Sequence, residues 1–591
     1  MISLRDCRDQ PDACDPAAVA YAAWVRAVDT PTPQDIVRHR VDAATFRLQP
    51  TISILMPVAD SAPLPVEAAI RSVREQTYSR WQLCIVTDAS SDPAVADVVQ
   101  SHASVDPRIV LRRGRAPVTT ATGRNTALRI ATGEYVTLVD HDDLLPPLAL
   151  HWVVEAINRC PAAQVLYSDE DKVDAGGRRF APHFKSDFNH VLLLAQDVIS
   201  RLGVYRRDLV EQLGGFRAEL EDAQEYDLTL RCVDAVPRDT IVHIPRILYH
   251  RRAIADGRAV VTGETPSAAA VRAVTEHLRR FDSGASVEPA PESPAHLRIR
   301  HSLPHPPPLT SIVICTRDHK AILQAAVDSI RAKTTYPNYE IVILDNGSRD
   351  PATLAYLSSL SSRSGITTIR DDSPFNYSRL NNTAVRHTRG QMLCLLNDDV
   401  EVLSPEWLEE MVSFAIQPGI GAVGARLWYP DGTLQHGGVL IGLGGVAGHA
   451  HLRLGRGRRG YFSRGVLQQE LSAVTGACLM VRRDVFDEVS GLDENIAVAF
   501  NDVDLCLRIR AAGYRIVWTP FAELIHHESA SRGYEDTPEK LARFQREVRF
   551  MLDRWGAVLN GDPYYNPNLS LRAGDFALES PPPHAACRRA A

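Results

Sequence analysis

The sequence predicts an α/β protein built from two tandem parallel-sheet domains, and three observations carry that expectation. Short β-branched runs alternate with helical patterns along most of the 591 residues, the grammar of strand–helix units with a parallel sheet. The same order of motifs occurs twice: Asp88 and Asp345 lie 257 residues apart, and so do Asn125 and Asn382. An offset held across helices and loops marks a duplication at domain scale rather than a short solenoid repeat. Between the copies, "VEPAPESPAHLRIRHSLPHPPPL" holds seven prolines from Pro289 to Pro308, too many for a continuing helix. The expected layout is a helical extension over 1–50, a first domain over 51–285 and a proline-rich linker over 286–308 with one short strand at "HLRIRHS". A second domain over 309–565 and a tail over 566–591 complete it.

"TISILMPV" (51–58) and "TSIVICT" (310–316) open the two copies as short buried strands followed by helical patterns. "WQLCIVTDASSD" and "YEIVILDNGSRD" come next, each a strand ending in an aspartate (Asp88 or Asp345) and a serine-containing turn. Then "GRNTALRIATGEYVTLVDHDD" parallels "RLNNTAVRHTRGQMLCLLNDD", with Asn125 placed 15 residues before Asp140 and Asn382 placed 15 before Asn397. Ligands of such sheets collect beyond the carboxyl ends of the strands. Asp88, Asp140, Asp142, Asp345, Asp398 and Asp399 all fall there.

Bulk properties narrow the function. The chain is 45% hydrophobic and 23% charged with a formal charge of -7, which argues against a nucleic-acid partner, since such affinity comes mainly from a basic surface. Ten cysteines are scattered without CxxC spacing, so the reading is free thiols in a reducing compartment rather than zinc ligands. "MISLRDCRDQPDACD" shows no basic leader followed by an apolar stretch, and no run approaches the roughly 20 apolar residues of a spanning helix. The expectation is a cytoplasmic protein, with peripheral attachment at the inner face of the membrane compatible with the sequence.

The acidic clusters point to a cation. Asp140 and Asp142 in "TLVDHDDLL", and Asp398 and Asp399 in "CLLNDDVEV", close an apolar strand. Carboxylates this near raise each other's pKa unless a cation shares them. Magnesium or manganese, held by carboxylates and substrate phosphates, suits such a set; an acidic turn capping the next helix is the alternative. Farther on, "DAQEYDLTLRCV" and "AFNDVDLCLRIR" place Glu225 and Asp227, or Asp502 and Asp504, at a helix start. The macrodipole favours a charged carboxylate there, as a general base requires, and capping is the alternative. Asp504 is placed toward the acceptor. A histidine follows 23 residues after each pair, His250 after Asp227 and His527 after Asp504, with His526 beside the latter. The second copy carries about 20 extra residues, rich in glycine from Gly432 to Gly460. They read as a mobile loop whose Arg453 and Arg456 could meet a diphosphate or an anionic glycan, with a solvated basic loop as the alternative. Within it, "VLIGLGGVAGHAH" matches a dinucleotide fingerprint, yet the glycine-rich continuation cannot supply the helix that motif needs.

With a strand-end aspartate, a DxD-like cluster, an acidic helix start and a late histidine in this order, the chain resembles family 2 glycosyltransferases. The likeness is to the tandem bacterial type that builds surface polysaccharides, including rhamnosyltransferase-like proteins. "YSDEDK", "PFNYSRLNN" and "VTGACLMVRRDVFDEVSGLDE" carry it further. The resemblance covers about 51–280 and 309–570. It implies two tandem Rossmann-like GT-A domains and inverting transfer of a sugar from a nucleotide-diphosphate donor to a hydroxyl of a glycan or lipid-linked saccharide, assisted by Mg2+ or Mn2+. On this sequence it implies that Asp345, Thr316, Arg317, Asp318 and Asn382 bind the nucleotide sugar, as Asp88 and Asn125 would in the first copy. Asp398, Asp399 and His527 would hold the cation, with Asp140, Asp142 and His250 their counterparts, and Asp502 or Glu225 would be the base. The first copy departs from the pattern: Ala59-Asp60 stands for tyrosine-asparagine and Glu225 for aspartate. The second has Asn397 for the leading aspartate and Cys315 for proline. The second domain is therefore expected to be the active one. A degenerate glycan-binding scaffold and a sugar nucleotidyltransferase are the rival readings, the latter lacking its glycine-rich first loop.

Overall fold

The structure, a computed structural model, describes residues 16–58, 61–87, 92–114, 120–253, 265–528 and 537–579. Asp88, the Ala59-Asp60 pair, and the Ser529, Ser531 and Arg532 that follow the late histidines lie outside the described residues.

The first sheet contains β1 (Ile52–Val58), β2 (Trp81–Thr87), β3 (Ile109–Arg113), β4 (Tyr135–Leu138), β5 (Val165–Val173), β6 (Arg179–His183), β7 (Gly203–Arg206) and β8 (Ile241–Arg252). Their order is β3-β2-β1-β4-β7-β5-β6, with β8 beside β5. A separate hairpin, β9 (Ser286–Ala290) and β10 (Ser293–Arg300), follows. The second half adds β11 (Thr310–Thr316), β12 (Tyr339–Asp345), β13 (Ile366–Arg370), β14 (Met392–Asn397), β15 (Val400–Val402) and β16 (Ile420–Trp428). It continues with β17 (Leu434–His436), β18 (Val439–Ile441), β19 (Ala447–His449), β20 (Gln469–Leu471), β21 (Cys478–Arg482) and β22 (Arg515–His526). The second sheet runs β13-β12-β11-β14-β21-β16-β22-β15, and β18 pairs with β19 apart from it.

Two α/β domains are thus present, but neither sheet is wholly parallel. β1 lies parallel to β2 and β4, as β11 does to β12 and β14. At the next position β7 runs antiparallel to β4, and β21 antiparallel to β14. A strand buried on both faces reads as an apolar run whatever its direction, so the reversal was not written in the periodicity.

The duplication reaches single hydrogen bonds. Ser53 Oγ accepts from Gly133 N at 2.9 Å and donates to Gln82 Oε1 at 2.8 Å. Ser311 Oγ accepts from Gly390 N at 2.8 Å and donates to Glu340 Oε1 at 2.8 Å. A Cβ on Gly133 would meet Thr51 O at 2.4 Å, and one on Gly390 would meet Leu309 O at 2.7 Å, so each helix-to-strand turn needs glycine for this close approach.

The proline-rich stretch is not an open linker with one strand. It folds into the β9–β10 hairpin, and the Gln468 amide brackets Ile299 from the second domain, accepting from its N and donating to its O at 2.9 Å each. Pro289 and Pro294 sit in this two-stranded edge structure, where a missing N–H is tolerated. The domains are joined around Glu470, wholly buried, which accepts from Arg238, from Arg515 at 3.1 Å and from Tyr564 Oη at 3.0 Å. The tail adds a strap: Asn566 Nδ2 donates to Asp169 Oδ2 at 2.9 Å. The N-terminal extension is helical over Pro16–Val28 and Pro33–Thr45, and Trp24 of the first helix packs on Phe184 with ring centroids 5.2 Å apart. The glycine-rich insertion is built, not a loose loop: β18 and β19 pair, and Gly442 between them takes φ +84, with Leu559 O 2.6 Å from where a Cβ would stand. Among the described residues, no helix is long and apolar enough to cross a membrane.

Candidate active site

A cleft of about 500 Å³ opens beyond β11, β12 and β14, lined among others by Thr316, Asn346, Asp398, Asp399, Asp502 and His526. Asp398 and Asp399 follow β14 directly and are almost fully buried. Thr316 Oγ1 donates to Asp398 Oδ2 at 2.7 Å. Burial, with the Asp399 charge adding, still pushes Asp398 up to about 6. Burial also pushes Asp399 up, but adjacent His526 outweighs it and holds Asp399 below the usual carboxylate range.

The histidine beside this pair is His526, not His527. β15 runs antiparallel to β22 with Val400 opposite His526, which carries the strand end to the carboxylates. His526 Nε2 lies 3.3 Å from Asp399 Oδ1. Successive side chains of a strand face opposite ways, so His527 turns outward and its Nε2 lies 2.8 Å from Glu401 Oε1. Only the His527 backbone meets the pair, donating to Asp399 O at 2.9 Å.

The two helix-start acids part company in the same manner. On the helix Asn501–Ala511, residues two apart differ by about 200°. Asp502 lines the cleft, and its Oδ2 accepts from Gly476 N at 2.7 Å. Asp504 is wholly buried and does not reach an acceptor: Arg508 Nε donates to it at 2.7 Å, Trp555 Nε1 at 2.9 Å, and Arg554 Nη1 stands 3.2 Å away.

Of the nucleotide-site candidates, Thr316 and Arg317 line the cleft. Asp318 instead ties two loops together. It takes φ +55, and its Oδ1 accepts from Arg349 N at 2.5 Å and Asp350 N at 2.8 Å. Asp345 is engaged with Ser348 N and Arg370 Nη1, both at 2.9 Å. Its neighbour Asn346 lines the cleft and keeps a buried Oδ1 without a hydrogen-bond partner. Asn382 is a brace and not a ligand of the cleft, its amide donating to Leu492 O at 2.8 Å and accepting from Leu492 N at 3.0 Å. Asn125 braces Phe216 in the same way, at 2.7 and 2.8 Å.

Arg453 and Arg456 do not line this cleft. Arg453 is exposed, lies 3.9 Å over the Tyr429 ring and pairs with Asp431 at 3.1 Å; Arg456 lies 4.6 Å over Trp428. The insertion contributes Gln435 and His449 instead. Thr475 N donates to His436 Nε2 at 3.3 Å, and His436 Nδ1 lies 2.9 Å from His449 Nδ1. A backbone N–H can only donate, so the chain of bonds assigns His436 a proton on Nδ1 and His449 one on Nε2. Burial first, then the neighbouring imidazole, keeps His436 well below its ordinary pKa and therefore neutral. Sequence reasoning missed this pair, and the only signal was two histidines in a segment read as loop. It also missed Glu547, buried on the helix Pro538–Trp555. Its Oε1 accepts from Ala497 N at 3.0 Å and Val498 N at 2.9 Å, and its Oε2 from Ala499 N at 3.1 Å, just ahead of Asp502.

The corresponding place in the first domain is arranged differently. Arg201 lies 3.0 Å from Asp140 Oδ2 and donates to both Glu225 oxygens at 3.2 Å. Arg124 Nη2 donates to Glu225 Oε1 at 2.5 Å and stands 3.6 Å from Asp140 Oδ1. Asp142 is half-buried, and its carbonyl accepts from Arg252 Nε at 2.8 Å. His250 is not beside either aspartate. Its Nδ1 lies 2.5 Å from Asp171 Oδ1, a carboxylate already bound by Arg179 and Tyr21.

In the second domain a divalent cation fits. Asp399 Oδ1 is buried without a hydrogen-bond partner, with His526 Nε2 3.3 Å away, and the pKa of Asp398 is raised beside it. Oxygen donors with one imidazole suit magnesium or manganese. Elsewhere, His190, Asp234 and His277 bring ligand-type atoms within 4.8 Å of one another. There, however, His277 is divided between partners, its Nε2 facing His190 Nε2 at 3.2 Å and its Nδ1 facing Asp234 at 3.1 Å, and Arg280 also claims Asp234. None of these three lines the cleft.

Comparison with known proteins agrees with this architecture. Over 551 residues the chain is 48% identical to y4gI, an uncharacterized protein of Sinorhizobium fredii, covering 92% of this chain and 60% of that one. It is 35% identical over 588 residues to the O-antigen biosynthesis protein RfbC of Myxococcus xanthus, covering 98% of this chain and 44% of that one. The chain thus spans about half the length of these relatives. Among solved structures, the mannosyltransferase PcManGT from Pyrobaculum calidifontis, in complex with GDP-Man and Mn2+, aligns with a TM-score of 0.32 and 17% identity over 43% of this chain and 68% of that one, a likeness too slight to bear on this site. The family model "Glycosyl transferase family 2" matches residues 53–214 and 311–490, more than half of the sequence, and the chain belongs to that family.

Proposed function

We propose that the second domain transfers a sugar from a nucleotide-diphosphate donor to a hydroxyl of a glycan or lipid-linked acceptor, with inversion at the anomeric carbon, in the building of a surface polysaccharide. The observation that carries this reading is that Asp502 faces the same cleft as the Asp398–Asp399 pair and His526. The O-antigen role in the name of its Myxococcus relative supports the polysaccharide setting.

Asp502 would take the proton of the attacking hydroxyl onto a carboxylate oxygen. The acceptor oxygen then bonds to the anomeric carbon as the bond to the diphosphate oxygen breaks. Gly476 N fixes the carboxylate by donating to Oδ2 at 2.7 Å, and a positioned base of this kind contributes roughly 10²–10⁴-fold. Asn346 Oδ1, a buried acceptor without a partner, would take an N–H of the nucleobase. His449 Nε2–H is a neutral donor for a sugar hydroxyl or a phosphate oxygen. A magnesium or manganese ion held by Asp399, Asp398 and His526 would supply charge neutralisation for the departing diphosphate.

The test is nucleotide release from UDP-, dTDP- and GDP-sugars with Mg2+ or Mn2+ and a lipid or glycan extract as acceptor source. Asp502→Asn should lower release by about 10²–10⁴-fold. Release within threefold of the parent protein, or its abolition by Glu225→Gln and not by Asp502→Asn, would overturn the assignment.

A further inference from the structure

The two domains are charged differently around their equivalent acids. In the second, Asp398, Asp399 and Asp502 face one cleft that Arg317 and His319 also line, and His526 lies 3.3 Å from Asp399. In the first, Asp140, which holds the place of Asn397, and Glu225, which holds that of Asp502, are spanned by two guanidinium groups that contact both acids, and His141 stands where Asp398 does. Equivalence along the chain is fixed on both sides of each arginine. Asn125 and Asn382 are the matched braces, so Arg124 corresponds to Asn381. Arg207 Nε donates to Gly133 O and Arg483 Nε to Gly390 O, both at 2.7 Å, so Arg201 corresponds to Ala477. Asn381 is neutral and turned onto Tyr377 O at 2.9 Å, and Ala477 carries no charge.

These arginines are held in place rather than loosely paired. The Arg124 side chain is 8% exposed, and Arg201 is 20% exposed beside a Glu225 that is 13% exposed. An entering divalent cation would have to leave two guanidinium groups uncompensated at contact distance, and like charges at that range in a partly buried site repel strongly.

We infer that the first domain takes no divalent cation: Arg124 and Arg201, bridging Asp140 and Glu225, stand where positive charge is needed, and the chain holds one cation, in the second domain. The inference rests on the cation assigned above to Asp399 and His526. Two consequences follow. Glu225 is engaged by both arginines and is not free to accept a proton from a hydroxyl. The chain has one cation-dependent transfer site, so it adds sugar from one donor rather than alternating between two.

The test is the stoichiometry of Mn2+ alone on the full chain, read from the electron paramagnetic resonance of free Mn2+ during titration. The parent protein and Asp140→Asn should each bind one ion, and Asp399→Asn none. In the Asp399→Asn background, Arg124→Asn with Arg201→Ala should restore one ion. Two ions on the parent, one surviving in Asp399→Asn, or loss in Asp140→Asn would overturn the inference. So would a folded triple variant that binds none. The first three proteins keep both arginines and decide the question even where the triple variant does not fold. A parent protein that binds no ion would refute the cation of the second domain while leaving the exclusion from the first intact.

Discussion

Glu547 does not itself line the cleft, yet replacing it should cripple transfer. Its carboxylate accepts from three consecutive main-chain N–H groups, at 3.0 Å from Ala497, 2.9 Å from Val498 and 3.1 Å from Ala499. The next residue, Phe500, takes φ +63, a conformation costly for a residue with a side chain and held only by its surroundings. Asp502 follows two residues later. In Glu547→Gln one oxygen survives to serve Ala497 and Val498, but an NH2 replaces the other and confronts Ala499 N–H. One charge-assisted hydrogen bond is lost, about 1.5–3 kcal/mol, and two donors meet. That energy is enough to relax Phe500 and displace the helix start, and a displacement of 1 Å at a catalytic group costs about 100-fold. The expected result is a kcat lowered about 10–100-fold in steady-state nucleotide release, with the calorimetric affinity for the released nucleotide unchanged. Should kcat stay within twofold while the melting temperature falls, Glu547 supports the fold alone and the positioning argument is wrong.

Three further outcomes are expected. His526→Ala should abolish Mn2+ binding by the second domain in a titration, whereas His527→Ala, which removes a contact to half-exposed Glu401, should leave it within twofold; the reverse pattern would restore His527 to the cation. Asp504→Asn leaves the cation partners Arg508 and Arg554 facing a neutral buried amide, and breaking one side of a buried pair costs about 3 kcal/mol, to be read as a lower midpoint in denaturant unfolding. Burial pushes Glu470 up, but Arg238 and Arg515 outweigh it and hold it below its ordinary value of 4.5. A carboxyl depressed in the folded state stabilises fully above its unfolded pKa and loses that contribution as pH falls through the folded one. The melting temperature should therefore fall as pH drops below about 4.5, and Glu470→Gln should flatten that slope; an unchanged slope would exclude Glu470 as its source.

The architecture was legible because an offset of 257 residues and repeated apolar runs need no tertiary information. Position within the site was less so, for geometric reasons. Counting residues gave His527 the place that His526 occupies, because one step along a strand reverses the side-chain direction. It also grouped Asp504 with Asp502, although two steps along a helix turn a side chain to the far face. Asp345 and Asp318 are spent on turns, where a strand-end aspartate finds free backbone N–H groups before it finds a ligand. Glu547, His436 and His449 reach their places only through tertiary packing, and the insertion that carries the histidines was read as a loop because glycine-rich sequence hides a hairpin whose turn needs positive φ.

The duplication shows why repetition is a poor guide to the reacting groups here. The features that recur most faithfully are structural: the Ser53–Gly133 and Ser311–Gly390 turns, the Asn125 and Asn382 braces, and the Asp227–Arg231 and Asp504–Arg508 pairs. Both copies must satisfy the same buried backbone groups, so both retain the same side chains for them. The copies differ beside these acids: Arg124 against Asn381, Arg201 against Ala477 and Glu225 against Asp502, of which Ala477 and Asp502 line the cleft. Two copies with one fold need identical braces but not identical chemistry. A residue present twice in such a chain is therefore weak evidence for catalysis, and a positive charge present in one copy and absent from the other marks where their chemistry should differ.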